Sequence, residues 1–441
     1  MPTPQSAFSR TRTPEPGDPL RVAFLIYRGN PHCGGQGVYS RHLTRELTEL
    51  GHTVTMLAGP LWPVADAPVT LERIQSLDLY KRENPFRVPW PHEFRSRSDV
   101  EEFAIMAGAG FPEPYAFSRR VYAHLRDRRG EFDLVHDNQC LGRGLLGLVR
   151  DGWPFVNTLH HPITVDRDLD LAAATSPFRR MTLRRWYGFL GMQMEVARQL
   201  PRHITVSHNS KKDIVAQMRV HPDTLHIVPV GVDQKQFRPL PHIARVPGRL
   251  MTTASADVPL KGLTYLIEAL AKVRTEREDA HLVVIGQPRH KSAVPAQIER
   301  LGLQGAIEFV SGVTDERIVE LYAEAEIAVV PSLYEGFSLP AIEAMACGVP
   351  LVTTTGGALP EVVGSPGDGA MTVPPGDPGA LAQMLIDVLA NDELRAQLGE
   401  RGRRRVLDRF TWRKTAEGTA EQYALELIAQ AKRRRDAGYA A

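Results

Sequence analysis

The stretch YEGFSLPAIEAMACG at 334–348 carries two carboxylates, Glu335 and Glu343, separated by seven residues around a glycine, a serine and a helix-like run. Gly336 lets the chain turn sharply. Ser338 can cap a helix, and Pro340 suits a first turn, where no amide partner is required. The amides of Phe337, Ser338 and Leu339 then face outward with the positive helix end behind them, which makes a site for an anion such as a phosphate. Glu343, about one turn in, is placed to accept hydrogen bonds from vicinal hydroxyls, and Glu335 to hold hydroxyls at the loop. Taken alone, the same spacing also describes a loop glutamate and a solvated helix glutamate.

Other chemistry-bearing residues follow short apolar runs. YRGNPHCGGQGVYSRHL places Gly34 and Gly35 ahead of a helix, where backbone can approach a phosphate or sugar closely, although the G-x-G-x-x-G fingerprint lacks its third glycine. FVNTLHHPITVDRD puts His160 and His161 after a strand, positioned to donate a hydrogen bond to a hydroxyl or to stabilise developing charge; an ordinary hydrogen-bonded histidine is the alternative for each ring. Neither has the carboxylate and histidine companions of a metal site. Lys261 precedes a helix and is a point charge suited to a diphosphate. The paired glycines Gly356 and Gly357 in TTTGGALPEVVG form either a cover for a bound ligand or a simple loop.

Such residues need strands whose carboxyl ends converge, because ligands of open parallel sheets bind there. The strands RVAFLIY, TVTMLAG, FDLVHDN, FVNTLHH, HITVSHN and LHIVPV fill the first half, and RLMTTAS, HLVVIG, IEFVSG, IAVVPS, PLVTTT and MTVPP the second. Their continuous apolar character suits parallel sheets covered on both faces. Between them, KGLTYLIEALAKV sets Leu263, Leu266, Ile267 and Leu270 on one helical face. The expectation is an α/β chain of two doubly wound, Rossmann-like domains. The boundaries expected are a leader at 1–20, disordered and without a role, an N-terminal domain at 21–235, a linker at 236–248 and a C-terminal domain at 249–409. A final helical segment at 410–441 returns to the first domain. From 60 to 130 no convincing strand appears, and this insertion reads either as a substrate-recognition element or as a variable cover.

With 441 residues the chain exceeds the size at which one core stops growing. Fifty-three basic against 51 acidic side chains give no global reason to expect nucleic acid. Cys33, Cys140 and Cys347 are too few and scattered for a disulfide framework or a metal knuckle, which suits a reduced, cytoplasmic setting. No apolar run approaches the ~18 residues of a membrane span. The basic segment 179–202 is either a surface helix with snorkelling arginines or a point of peripheral contact with an anionic membrane.

In this order, the motifs resemble those of glycosyltransferase family 4, retaining enzymes of the GT-B fold. The resemblance covers almost the whole chain and rests chiefly on EGFSLPAIEAMACGVPLV, with support from GGQGVY, TLHH, ITVSHNSKKD, VPVGVDQKQF and Lys261–Gly262. It implies two domains facing a central cleft and transfer of a hexosyl unit from a nucleotide-diphosphate sugar (UDP-, GDP- or ADP-linked) to an acceptor hydroxyl of a sugar, a lipid-linked sugar or a small molecule, with no metal or other cofactor. It implies that Glu343 holds the ribose and Glu335 the donor sugar. Phe337, Ser338 and Leu339, with Lys261 and the backbone of Gly35, surround the diphosphate. Val313 touches the base, His160 faces the transferred sugar, and Gln36 and His161 lie on the acceptor side. The catalytic set is then His160, Glu335 and Lys261. One departure stands out: Ala256 occupies the place of the family's usual arginine, a change that weakens diphosphate binding by about 1.5–3 kcal/mol. A GT-B phosphorylase or epimerase, or a noncatalytic nucleotide-sugar binding module, would reuse the same phosphate cradle.

Overall fold

The computed structural model of the chain describes residues 17–29, 35–81, 83–174, 176–253, 258–288 and 292–436. Most of the expected leader, together with Cys33, Gly34 and Ala256, lies outside the described residues. Two compact units emerge, one formed by Met1–Val206, Ser210–Val228 and Thr415–Ala441, the other by Ser207–Asn209 and Pro229–Lys414.

The first unit opens with β1 (Arg21–Ile26), α1 (Gly35–Glu49), β2 (Thr53–Ala58) and β3 (Thr70–Arg73). Then come α2 (Arg97–Ala107), α3 (Glu113–Leu125), β4 (Leu134–Asn138), α4 (Gly144–Arg150) and β5 (Phe155–Thr158). The helices α5 (Thr164–Ala173), α6 (Pro177–Trp186) and α7 (Phe189–Ala197) precede β6 (His203–Thr205), α8 (His208–Met218) and β7 (Leu225–Ile227). All seven strands pair in parallel in the order β3-β2-β1-β4-β5-β6-β7. The central strands β1 and β4 are buried almost throughout, as their apolar runs require of a sheet covered on both faces.

The insertion departs from the expectation that it holds no strand. β3 lies within it and pairs with β2 at the sheet edge. Its sequence, TLER, has no apolar run because none of its residues is buried, so it carries no hydrophobic mark. The rest of the insertion supplies α2 and α3. They are pinned by Arg120, whose guanidinium meets Glu102 at 2.6 Å and also bonds Asp99.

The second unit contains β8 (Arg249–Thr253), α9 (Leu263–Val273), β9 (His281–Ile285), α10 (Val294–Arg300), β10 (Ile307–Val310) and α11 (Asp315–Glu324). It continues through β11 (Ile327–Val330), α12 (Leu339–Ala346), β12 (Leu351–Thr354), α13 (Leu359–Val363), β13 (Met371–Val373), α14 (Pro378–Leu389) and α15 (Asp392–Arg409). Its six parallel strands run β10-β9-β8-β11-β12-β13. Leu266, Ile267 and Leu270 of α9 are fully buried, each contributing about 1.5–3 kcal/mol through burial of apolar surface. The proline-rich stretch 232–249 counts with this unit, and Val246 N–H donates to the Glu324 carbonyl at 2.8 Å.

The last helix, α16 (Trp412–Asp436), starts in the second unit and counts with the first from Thr415 onward. Within the first unit its Tyr423 is fully buried and its hydroxyl meets His136 Nδ1 at 2.6 Å. Each sheet reverses its strand order once, between β1 and β4 in the first unit and between β8 and β11 in the second. Those switch points are where a crevice opens beyond the strand ends.

Candidate active site

In the second unit the crevice is built from the ends of β8 and β11. Lys261 closes a 3-10 turn at Pro259–Lys261, and Gly262 follows in the left-handed region at φ 68°. A side chain there would collide with the Pro331 carbonyl, so glycine is what lets the lysine turn press against the end of β11. Leu333 N–H donates to the Leu260 carbonyl at 2.7 Å and locks the two loops together. The result is a direct ion pair: Lys261 Nζ lies 2.9 and 3.0 Å from the two Glu335 carboxylate oxygens. Ser332 Oγ donates to Glu335 Oε1 at 2.7 Å, and Glu335 is 7% exposed. From the sequence these two residues are expected as separate ligand contacts, whereas here the lysine holds the carboxylate in place.

The loop after Glu335 is anchored at several points. Phe337 is buried, with its ring edge-on to Phe410 at 5.6 Å, so what it presents to the crevice is its amide. Ser207 Oγ donates to the Gly336 carbonyl at 2.7 Å. Ala358 N–H donates to the Glu335 carbonyl at 2.8 Å, and a side chain on Gly357, at φ 63°, would strike that backbone. The glycine pair 356–357 therefore serves close backbone packing beneath Glu335. Ser338 corrects an expectation: at φ 117° and ψ 89° it makes no side-chain cap for α12, and its buried Oγ has no partner among the described residues. A left-handed non-glycine residue costs about 1–3 kcal/mol, and here that strain turns the backbone rather than the hydroxyl toward the helix mouth. The amides of Phe337, Ser338 and Leu339 donate to no described group, which leaves them available to an anion.

Glu343 is half-buried on α12, not solvated. Burial pushes its carboxyl up to about 7, the charge of Asp315 adds to this, and a hydrogen bond from the Tyr322 hydroxyl opposes it. Val313 lies in the turn before Thr314, which caps α11 through Arg317 N–H. Two neighbours that the sequence does not single out complete this loop cluster. The Glu361 carboxylate accepts from His208 N–H and Asn209 N–H at 2.7 Å each, and Asn209 Nδ2 donates to the Tyr334 hydroxyl at 3.1 Å. The sequence signal for Asn209 is its place in ITVSHNSKKD and that for Glu361 its place in TTTGGALPEVVG, but only folding brings the two together.

In the first unit, Gly35 opens α1 exposed and Gln36 is half-buried beside it. His160 is half-buried after β5, with Nε2 2.8 Å from Asn138 Oδ1 and Tyr39 edge-on at 4.6 Å. Burial drives its imidazole down to about 3, helped by His161. At neutral pH the ring is therefore uncharged, and the proton it carries is already committed to Asn138. With the Asn138 amide oxygen at Nε2, Nδ1 is the ring nitrogen left without a described partner. His161 is exposed, and its Nε2 lies 3.2 Å from Asp166 Oδ2 on the first turn of α5. Asn138 and Gln139 are not legible in the sequence because amides at strand ends carry no motif, and Tyr39, though within GGQGVY, is not singled out there.

Among the described residues no group of three His, Cys, Asp or Glu side chains is placed to hold a metal ion, and no helix is long and apolar enough to cross a membrane.

Residues 33–236 match the family described as Glycosyltransferase Family 4, and residues 245–405 that described as Glycosyl transferases group 1. The chain is 47% identical to the MMP alpha-(1->4)-mannosyltransferase of Mycolicibacterium hassiacum over 92% of its own length and 98% of that protein. It is 30% identical to the D-inositol 3-phosphate glycosyltransferase of Saccharomonospora viridis, over 92% and 94% of the two chains. In structure it is similar to the sucrose-phosphate synthase of Thermosynechococcus elongatus, with a TM-score of 0.70 at 22% identity over 93% of this chain and all of that one. The Anabaena HepE protein in complex with UDP superposes with a TM-score of 0.65 at 17% identity, over 92% and 100% of the two chains. The chain belongs to glycosyltransferase family 4, and it is a glycosyltransferase of the GT-B fold.

Proposed function

We propose that this enzyme transfers a mannosyl unit from a nucleotide-diphosphate mannose to a hydroxyl of a sugar acceptor, with retention of configuration. The observation that carries the reading is the second unit's loop after β11. There a carboxylate held by Lys261 and Ser332 stands beside three backbone amides that no described group occupies, with a second carboxylate, Glu343, one helical turn away. Amides and lysine stabilise the charge that builds on the leaving diphosphate. The carboxylates suit hydroxyls on either side of it, ribose at Glu343 and donor sugar at Glu335. His160, in the first unit, faces the transferred sugar in this reading. The relative at 47% identity supports the mannosyl group and an α linkage, and an α product from an α-configured donor is retention. Among the described residues no side chain stands out as a covalent nucleophile, in keeping with a front-face route in which the leaving phosphate oxygen takes the acceptor proton.

The test is a donor panel of UDP-, GDP- and ADP-sugars, assayed in the presence of EDTA with mannoside acceptors, with the product's anomeric configuration read by NMR. An α-mannoside formed from one donor, without added metal, is the expected result. A β product, a requirement for divalent metal, or donor binding without any turnover would each overturn part of the reading.

The first unit also carries α6, whose Phe178 is 71% and Met181 48% exposed among Arg179, Arg180, Arg184 and Arg185, with no acidic residue in the helix. That surface supports peripheral contact with an anionic membrane. Sedimentation with phosphatidylglycerol vesicles at low salt tests it, and failure to cosediment removes the idea.

A further inference from the structure

Two consecutive amide side chains at the end of β4 converge on one residue. Asn138 Oδ1 lies 2.8 Å from the His160 ring at Nε2. Gln139 Oε1 accepts from His160 N–H at 2.8 Å, and Gln139 Nε2 donates to the His161 carbonyl at 2.9 Å. One amide holds the ring and the next holds the backbone beneath it. We propose that Asn138 is a positioning residue for glycosyl transfer: it holds His160 in the Nε2–H form so that Nδ1 keeps a bare lone pair aimed at a hydroxyl of the sugar, while Gln139 fixes the peptide that carries the ring. The proposal rests on the reading that His160 faces the transferred sugar.

The tautomer follows from the partners. A side-chain amide oxygen can only accept, so Nε2 must be the nitrogen that bears hydrogen, and a neutral imidazole has only one such nitrogen. No described group bonds Nδ1. The surroundings keep the ring neutral: it is enclosed, its titratable neighbours are His161 and His136, and Tyr39 packs against it edge-on. An accepting nitrogen grips a hydroxyl through the hydroxyl's own proton. It therefore orients the sugar without offering a proton to the bond being broken.

Packing alone does not account for these residues. Asn138 is fully buried, and its Nδ2 has no partner among the described residues. Leucine has nearly the same shape and would leave no buried donor unpaired, so burial by itself favours the apolar residue. Gln139 sits in the left-handed region at φ 55°, where glycine is favoured, yet glycine would lose both bonds to the 160–161 peptide. A further amide, Gln193, supports the turn from below, donating to the Gln139 and Cys140 carbonyls at 3.3 and 3.0 Å. Two neighbouring positions thus run against local preference, and both serve His160.

The test uses the full-length protein labelled with ¹⁵N-histidine. The His160 ring is expected to report a neutral Nε2–H tautomer from about pH 5 to about pH 8. An Nδ1–H tautomer, or a ring that titrates in that range, overturns the proposal without touching the glycosyltransferase assignment. Asn138→Leu should lower kcat about tenfold with the donor KM little changed. Asn138→Asp should keep the tautomer and most of the activity at alkaline pH while introducing a loss of turnover on the acid side that the parent lacks. An unchanged kcat in Asn138→Leu with only a lowered Tm would reduce Asn138 to a structural part and overturn the proposal. Full turnover in His160→Ala would instead sink the reading of His160 on which it rests.

Discussion

The crevice ends of the two units solve opposite problems with opposite materials. In the second unit the groups gathered there are charges and bare backbone donors: the Lys261–Glu335 pair, the amides at the head of α12, and Glu343. In the first unit they are neutral side chains: His160, Asn138 and Gln139, and separately the buried chain in which His136 links the Tyr423 hydroxyl at 2.6 Å to Thr158 Oγ1 at 2.7 Å. Charged groups and amides suit a ligand part that carries negative charge and gains more as a bond breaks. Neutral acceptors suit hydroxyls, which need orientation but no compensating charge. The lesson is that a shared strand order, 3-2-1-4-5-6, fixes where a site lies in each unit and leaves its electrostatics to the loops.

If that contrast is right, damage to the charged end costs most. Glu335→Ala should lower kcat by about 10³-fold, because the sugar contact is lost and Lys261 loses its partner. Lys261→Met should cost about 10²–10³-fold. Steady-state kinetics on both variants, with circular dichroism to confirm folding, would break the comparison if either retained parental turnover. At the neutral end, His160→Ala should lose about 10²-fold, less than Glu335→Ala, and the loss should not depend on salt. A loss greater than that of Glu335→Ala would reverse the ranking of the two units.

The pH response sharpens the contrast further. The Glu343 carboxyl stands at about 7, above its ordinary value. Ribose hydroxyls donate best to its ionised form, so donor binding should release a proton and donor affinity should rise with pH up to that value, then level off. A several-fold fall in donor KM between about pH 6 and pH 8 is expected, and Glu343→Gln should flatten it. For stability the sign is the reverse. The folded state holds a proton that the unfolded state has released between about 4.5 and 7, so this group's contribution falls as pH rises through that window. The smallest effect should come from Ser332→Ala, which removes one bond to Glu335 and should cost a few-fold in kcat, about 1 kcal/mol. Equal loss in Ser332→Ala and Glu335→Ala would mean that positioning, not the carboxylate's own contact, dominates.

Much of this was legible in the amino-acid order. Each of the apolar runs read as strands in both halves is a strand, and burial on both faces favours such runs, as in β11, which is apolar and buried throughout. β3 escaped because TLER, at the sheet edge, carries a single apolar residue and so leaves no such trace. The loop that leads into α12 was visible in EGFSLP through its glycine and proline. Its conformation was not: Ser338 takes a strained left-handed backbone and caps nothing, because packing of Phe337 on Phe410 and of Gly357 beneath Glu335 overrides the local preference for a serine cap.

By itself the sequence determined the two α/β units, the family and the residue types suited to phosphate and hydroxyls, because apolar period, glycines at turns and prolines at helix starts act over a few neighbouring residues. Only the tertiary structure decided that Lys261 clasps Glu335, that burial lifts the Glu343 carboxyl to about 7, and that Asn138 and Gln139 hold His160. Those outcomes depend on groups far apart in the chain, up to 74 residues for the lysine and glutamate, brought within hydrogen-bonding range in surroundings dry enough to shift a proton. No local pattern encodes distance or dielectric, and these set the chemistry.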